Sequence, residues 1–335
     1  MNVEKTQKLP PPPGIFGSLR TGFDVVSSHV WLILLPILLD VFLWLGPRLS
    51  AGEVYSSILA SLLEILRTRP LPAADMLALT ESVENFSRFN WLSWARTFPV
   101  GISSLQAFAV PEGLSSQTPL GLQGAVQVSS LLSLFGWTLC LTLLGWVGGS
   151  LYFRWVSVTA LGEEEAGIGL LRAITQTSLL SVVLFVGLLI ITVPVAIFIG
   201  LLTFVSPVVS SGILFVILLL SYWLIVPLFF MPHGIFTRKQ NALHSVLSSV
   251  RMSRFTLPTS GMFVFCVFLL TIGLDYLWKV PKNDSWMTLV GIAGHAFITT
   301  ALLAASFVFY RDMNVWLQTV FAQMQQKQGI PTQQV

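Results

Sequence analysis

The sequence predicts an all-α protein: a polytopic membrane helix bundle of six transmembrane helices with short interfacial amphipathic helices. Hydrophobic residues make up 54% of the 335 positions and charged residues only 10%, whereas soluble domains carry about 25% charged residues. Mean hydropathy is +0.79. Six apolar runs approach the roughly 20 residues that a helix needs to cross a bilayer. A chain with so few charges cannot cover a water-facing surface.

The N-terminal segment 1–28 is predicted to be a cytoplasmic, proline-rich lead-in followed by an amphipathic helix. The run LPPPPG (9–14) favours an extended polyproline II conformation outside the membrane. Residues 15–28 place apolar side chains at helical steps. No signal peptide is expected, because the apolar run that follows is too long for one and lacks an A-x-A cleavage pattern.

The first transmembrane helix is predicted over 29–47, and it contains an aspartate, Asp40, within LLPILLDVFLWLGPR (34–48). The segment 48–127 then forms an extracytoplasmic helical loop. Its apolar residues recur at helical spacing over 53–69, 72–89 and 90–98, so three helices are expected there.

The remaining five spans form the predicted bundle of 128–310. VSPVVSSG (205–212) divides a long uncharged stretch into a tight helical hairpin. Gly145 and Gly149 form a G-x-x-x-G pattern, which permits close approach between helices. A cytoplasmic tail is expected over 311–335. The five spans are 128–153, 178–204, 208–231, 260–279 and 286–310.

Basic residues predict a multi-pass protein of the cell membrane with both termini in the cytoplasm. Lys and Arg concentrate on the cytoplasmic side of membrane proteins. With both ends inside, eleven of them lie on that side, against three close to helix ends outside (Arg48, Lys279 and Lys282). Four more arginines (Arg67, Arg69, Arg88 and Arg96) lie in the long outer loop and are discounted, because loops of more than about 60 residues translocate largely regardless of charge. The inner set comprises Lys5, Lys8, Arg20, Arg154, Arg172, Arg238, Lys239, Arg251, Arg254, Arg311 and Lys327.

Three stretches that precede spanning helices follow one plan. Each is amphipathic, and each contains an apolar residue followed by a basic or potentially basic one. Two interpretations stay open: a true internal repeat, or the ordinary character of amphipathic linkers beside a membrane. The stretches are IFGSLRTGFDVVSSH (15–29), IGLLRAITQTSLL (168–180) and QNALHSVLSSVRMSRF (240–255), with the pairs Leu19–Arg20, Leu171–Arg172 and Leu243–His244.

This plan resembles the poorly characterised bacterial multi-pass families grouped around the membrane domain of glycerophosphodiester phosphodiesterase. The resemblance concerns the arrangement of short amphipathic helices before membrane helices, not a motif. It implies the fold and assigns no functional residue. The chain has no room for the soluble catalytic domain that such enzymes carry.

Three ionisable residues within predicted spans form the candidate polar site: Asp40, Asp275 and His295. An unpaired charge inside the membrane is costly, so such groups suggest a function. They could form one site that relays protons or holds a cation. Alternatively, each could reach water, hydrogen-bond a neighbour or stay protonated. An intramembrane aspartyl protease is disfavoured, because IGL precedes Asp275 where that family has G-x-G.

A second candidate site comprises the basic residues Arg238, Lys239, Arg251 and Arg254. Each could contact anionic lipid headgroups at the cytoplasmic leaflet. The excess of positive charge on that side predicts the same residues without any specific lipid site.

Other chemistry finds no support in the sequence. No G-x-S-x-G, P-loop, G-x-G-x-x-G or H-E-x-x-H motif occurs, so neither a cofactor nor a metal site is expected. Cys140 and Cys266 fall in apolar runs and give no disulfide framework. A net charge of +3, spread along the chain, indicates no nucleic-acid partner.

Three functions therefore remain. The favoured one is an integral membrane protein of non-catalytic role that packs with membrane lipids or with partner membrane subunits. One alternative is a small transporter or channel-like protein that uses Asp40, Asp275 and His295. The other is a lipid-modifying membrane enzyme, so whether the chain is an enzyme stays open. The transporter requires the three polar side chains to converge.

Overall fold

A computed structural model describes residues 10–67, 73–107 and 117–327. Lys5, Lys8 and Arg69 lie outside these residues, as do the ends of the predicted lead-in (1–9) and of the predicted tail (328–335). The all-α fold class is confirmed, because helices form most of the chain. The helices are α1 (Ile15–Ser28), α2 (Leu34–Leu45), α3 (Gly52–Leu66), α4 (Ala73–Arg88), α5 (Leu131–Leu161), α6 (Glu163–Ala166), α7 (Leu170–Val205), α8 (Pro207–Phe230), α9 (His233–Arg238), α10 (Ala242–Trp278) and α11 (Thr288–Lys327).

Short 3-10 helices and strands complete the described structure. The two 3-10 helices cover Val30–Ile33 and Trp91–Arg96. Strand β1 (Arg48–Ser50) pairs in parallel with β4 (Ala125–Gln127), and β2 (Gln117–Thr118) pairs antiparallel with β3 (Gly121–Leu122). Sequence reasoning expected only helices in the segment 48–127. The β1–β4 pair joins the two ends of that segment where it meets the membrane helices.

Within the residues that the structure describes, five helical segments are long and apolar enough to cross a membrane, and a sixth crossing is formed if α1 and the helical residues Val30–Leu45 count as one bent span. The bend is 94° and lies at His29, whose φ of −133° and ψ of 60° are not helical. The predicted membrane helix bundle is therefore confirmed with five or six crossings, and the predicted first span (29–47) crosses only as part of the bent pair. The five segments are Leu131–Leu161, Leu170–Val205, Pro207–Arg238, Ala242–Trp278 and Thr288–Gln325.

The amphipathic stretches differ from the expectation of separate short helices. Only α1 ends before its span begins. The second stretch forms the start of α7 and continues without a break into the membrane-spanning part of that helix. Residues 170–193 contain no proline, and the single glycine among them does not interrupt the helix. The third belongs to α10, which is kinked at Thr256 (φ −124°, ψ 15°). Pro258 explains that kink, since its ring cannot fit a regular preceding turn.

The described chain divides into two compact units, whose boundaries fall between His29 and Val30 and inside α5, α10 and α11. The first unit comprises Met1–His29, Arg154–Leu269 and Ala301–Val335. Stacked aromatic rings form its core: the Phe263 and Phe309 ring centroids lie 4.1 Å apart at an interplanar angle of 9°. Gly22 lets α1 approach α11 closely, because a Cβ there would overlap the backbone of Ala301 and Ala305.

The second unit comprises Val30–Phe153 and Leu270–Thr300. One core cluster joins β1 to α5 through Leu49, Val54, Val128 and Leu141. A second cluster contains Trp44, Leu105 and Ile292. Leu105 comes from the segment that sequence reasoning placed outside the membrane, so part of that segment lies buried among the helices of this unit.

Candidate functional site

Asp40 is completely buried in α2 and binds a loop. Its Oδ1 accepts hydrogen bonds from the Ser104 hydroxyl and, at 3.0 Å, from the Gln106 backbone N–H. Its Oδ2 accepts from the Leu105 backbone N–H at 2.9 Å. The Ser104 hydroxyl also accepts from the Ala107 N–H at 3.0 Å. Backbone N–H groups outside a helix must find hydrogen-bond partners within the protein where water is excluded. The Asp40 carboxyl group provides those partners for this non-helical segment.

The segment that Asp40 binds, residues 97–107, is called the anchored loop here. Val100 is 0% exposed and Ala107 is 1% exposed. The loop packs on a glycine face of α5, where a Cβ at Gly145 would overlap Ala95 and Thr97 and a Cβ at Gly149 would lie 2.8 Å from the Gly101 Cα. The sequence predicted that this G-x-x-x-G pattern permits close helix approach, and the glycines instead admit the end of the 3-10 helix and the anchored loop.

Asp275 and His295 form a direct pair. The His295 Nδ1 lies 2.9 Å from the Asp275 Oδ1, and the two side chains are 5% and 29% exposed. The His295 Nε2 is buried and has no hydrogen-bond partner within the described residues. Two of the three predicted polar residues therefore meet, one on α10 and the other on α11.

Arg96 connects this pair to Asp40 electrostatically. It ends the 3-10 helix Trp91–Arg96, directly before the anchored loop. Burial lowers the pKa of Arg96, and the carboxylates of Asp275 and Asp40 oppose that shift. His295 also lies within electrostatic range of Asp40. In the second unit, Arg96 therefore lies within electrostatic range of both Asp40 and Asp275, and Asp275 directly contacts His295.

Hydroxyl groups extend the polar site by one turn of α11. Thr299 Oγ1 is 2.8 Å from both the Ser103 hydroxyl and the His295 carbonyl oxygen. The Tyr152 hydroxyl lies 2.8 Å from Thr300 Oγ1 and also hydrogen-bonds Ser103. Side chains from α5, α11 and the anchored loop thus form one hydrogen-bonded group beside the Asp275–His295 pair.

Sequence reasoning missed Arg96 and the anchored loop. The available signal was FPVGISSLQA (98–107), which contains no charged residue although it lies in a segment assigned to water. Such a stretch is better suited to burial than to an exposed loop. Its serines and backbone donors also offered partners to a carboxylate within a membrane helix.

The four basic candidate residues lie on α9, just after it, and on α10. Arg238 donates to Asn314 Oδ1 at 3.5 Å, and the Lys239 ammonium donates to the Glu164 carbonyl oxygen at 3.2 Å. Arg251 and Arg254 are exposed. Sequence reasoning did not pair Arg172 with this region, yet it donates to the Lys239 carbonyl oxygen at 2.9 Å. The exposed side chains of Arg251 and Arg254 are accessible to lipid headgroups.

Within residues 10–67, 73–107 and 117–327, no group of three or more His, Cys, Asp or Glu side chains could hold a metal ion.

Comparisons with protein-family models, with curated proteins and with solved structures find no match to this chain. The resemblance in membrane plan to bacterial multi-pass families stays a prediction from the sequence.

Proposed function

We propose that this chain is an integral protein of the cell membrane with a non-catalytic role, which packs with membrane lipids or with partner membrane subunits. Both termini lie in the cytoplasm in this proposal, as the distribution of Lys and Arg favours. Arg238, Lys239, Arg251 and Arg254 would then face the anionic headgroups of the cytoplasmic leaflet.

The observation that supports this role is the hairpin formed by α7 and α8. The protein buries only 6% of the apolar 18-residue stretch in Leu170–Val205 and 18% in Pro207–Arg238, against 11% in Leu131–Leu161, 22% in Ala242–Trp278 and 67% in Thr288–Gln325. Phe204 and Val208 at the hairpin tip are 90% and 82% exposed. Apolar surface of this extent must be covered by lipid or by other membrane helices.

Side-chain hydrogen bonds hold the turn of the hairpin. The Ser206 hydroxyl caps α8 by accepting from the Val209 N–H at 3.4 Å. Thr203 donates to the Ser210 hydroxyl at 3.1 Å. The two helices thus close the turn themselves and leave their outer faces to the surroundings.

Co-purification from native membranes in mild detergent tests this role, with identification of bound lipids and proteins. We expect a stoichiometric membrane partner or a defined set of lipids. A photo-crosslinking residue at Ile190 on the hairpin, which is 68% exposed, should capture that partner. The same residue placed at Leu38 on α2, which is 64% exposed, is the matched control and should not capture it. Solute flux in proteoliposomes that depends on Asp40 and Asp275 would instead favour the transporter alternative.

The Asp275–His295 pair is the specific observation in favour of a transporter. Asp40 supports it less, because its carboxylate is occupied by the anchored loop. Packing is therefore the function that the geometry supports best.

A further inference from the structure

We infer that Arg251 and Arg254 on α10 together bind the phosphate group of an anionic lipid at the membrane surface. The inference rests on the proposed packing with membrane lipids and deepens it, because it assigns one headgroup site to two of the four basic candidate residues. It depends on how side chains are distributed around the first half of α10, residues 242–255, which is called the surface segment here.

The surface segment turns its polar face toward the protein. Ser245, Ser249 and Ser253 are at most 3% exposed. The Ser245 hydroxyl donates to the Met231 carbonyl oxygen, and the Ser249 hydroxyl donates to the Pro227 carbonyl oxygen. Both carbonyl groups lie at the C-terminal end of α8, where a helix needs partners from outside itself. Hydrogen bonding therefore explains why the serines face inward.

The opposite face of the surface segment is apolar and exposed. Leu243, Leu247 and Val250 follow one another at steps of four and three residues, which places them on one side of the helix. They are 58%, 66% and 45% exposed. A helix at the surface of a water-soluble protein buries its apolar side and exposes its polar side. The surface segment does the reverse, so its exposed face is suited to contact with lipid.

The kink at Thr256 marks the level at which α10 enters the hydrocarbon core. Residues 257–278 extend about 33 Å at 1.5 Å per residue, which is close to the core thickness of about 30 Å. The surface segment then lies among the headgroups. Arg254 directly precedes the kink region and Arg251 lies one turn earlier, so both reach the level of the lipid phosphates.

Arg251 and Arg254 are exposed on the apolar side of the surface segment and are free to bind a ligand. Residues three apart on a helix have Cβ atoms about 5–6 Å from each other, so two guanidinium groups can share one phosphate. In the described part of the chain, neither arginine forms an ion pair or a side-chain hydrogen bond. Arg172, Arg238 and Lys239 instead donate to oxygen atoms of the protein.

Native mass spectrometry of the full chain in detergent tests this site with phosphatidylglycerol and phosphatidylcholine of the same acyl chains. We expect phosphatidylglycerol to bind more tightly. Arg251→Gln and Arg254→Gln should each weaken its binding at least about tenfold, because each removes charge-assisted hydrogen bonds to the phosphate. All the substituted side chains are exposed, so the variants should keep the unfolding transition of the parent protein.

Arg238→Gln is the matched control. It removes the same charge from another exposed position, whose guanidinium already donates to Asn314, and should weaken binding less than about twofold, since diffuse attraction is screened by salt. Equal weakening by all three variants, or equal affinity for the two lipids, would overturn the site. Displacement of phosphatidylglycerol by inorganic phosphate would assign the site to a free anion and would also overturn the inference.

A second measurement examines the surface segment without changing either arginine. Leu247→Cys, in a background without Cys140 and Cys266, carries a fluorophore in lipid nanodiscs that contain spin-labelled headgroups. The spin label should quench this fluorophore strongly and one at Glu81→Cys, an exposed position on α4, only weakly. Equal quenching at the two positions would contradict the lipid contact. Both tests leave the α7–α8 hairpin unchanged, so their failure would not affect the packing role, which the hairpin crosslinks decide.

Discussion

Replacing Asp40 with alanine should release the anchored loop and destabilise the protein. The change removes the acceptor for the Leu105 and Gln106 backbone N–H groups and for the Ser104 hydroxyl. Leu105 is 4% exposed and Ser104 is 5% exposed, so water cannot easily replace the carboxylate.

The magnitude follows from the number of buried donors left without an acceptor. Each such donor costs about 1–3 kcal/mol. Two fully buried groups, the Leu105 N–H and the Ser104 hydroxyl, lose their acceptor, while the half-buried Gln106 can recover part of its bond from water. The hydroxyl can also rotate toward another acceptor, so we expect a loss of about 3 kcal/mol rather than the full sum.

Two assays measure this loss. Unfolding in detergent, followed by tryptophan fluorescence, reports the change in stability. Maleimide labelling of a cysteine at Ala107, which is 1% exposed, reports the loop directly in a background without Cys140 and Cys266. The cysteine should label slowly in the parent protein and at least tenfold faster after Asp40→Ala.

Asp24 provides the matched control, because it is an exposed carboxylate on α1 whose ion pair with Arg20 is 3.7 Å long and open to water. Such pairs contribute about 0–1 kcal/mol, so Asp24→Ala should change neither readout appreciably. If Asp40→Ala unfolds like the parent protein and the cysteine at position 107 stays protected, Asp40 does not hold the loop.

Two further substitutions test the packing of each unit. Gly145→Leu should displace the anchored loop and lower the free energy of unfolding by about 1–3 kcal/mol. Gly136→Leu on the same helix meets open space and should leave the stability unchanged. Equal stability of the two variants would contradict the packing of the loop on these glycines. Phe263→Ala should cost about 3–5 kcal/mol, because it empties the centre of an aromatic core. Phe265→Ala, at a position that is 48% exposed, should cost little in the same unfolding assay, and the reverse order would contradict the described core.

The sequence alone determined the class of the protein and the approximate positions of its membrane helices. Both are local properties: hydropathy over about 20 residues is enough to recognise a span. The division of the uncharged stretch at Ser206 was also readable, because a serine followed by proline ends one helix and caps the next. The helix bounds differ, since helices such as α7 and α11 continue beyond the bilayer-sized window that hydropathy detects.

The tertiary structure decided which polar groups meet. Asp275 and His295 lie on different helices, and Asp40 binds a loop that is 64 positions away from it. Hydropathy gives the depth of a side chain but not the direction in which it points or the segment that packs against it. That choice depends on the packing of the whole second unit, where Gly145 and Gly149 leave room for the anchored loop and Asp40 satisfies its backbone donors.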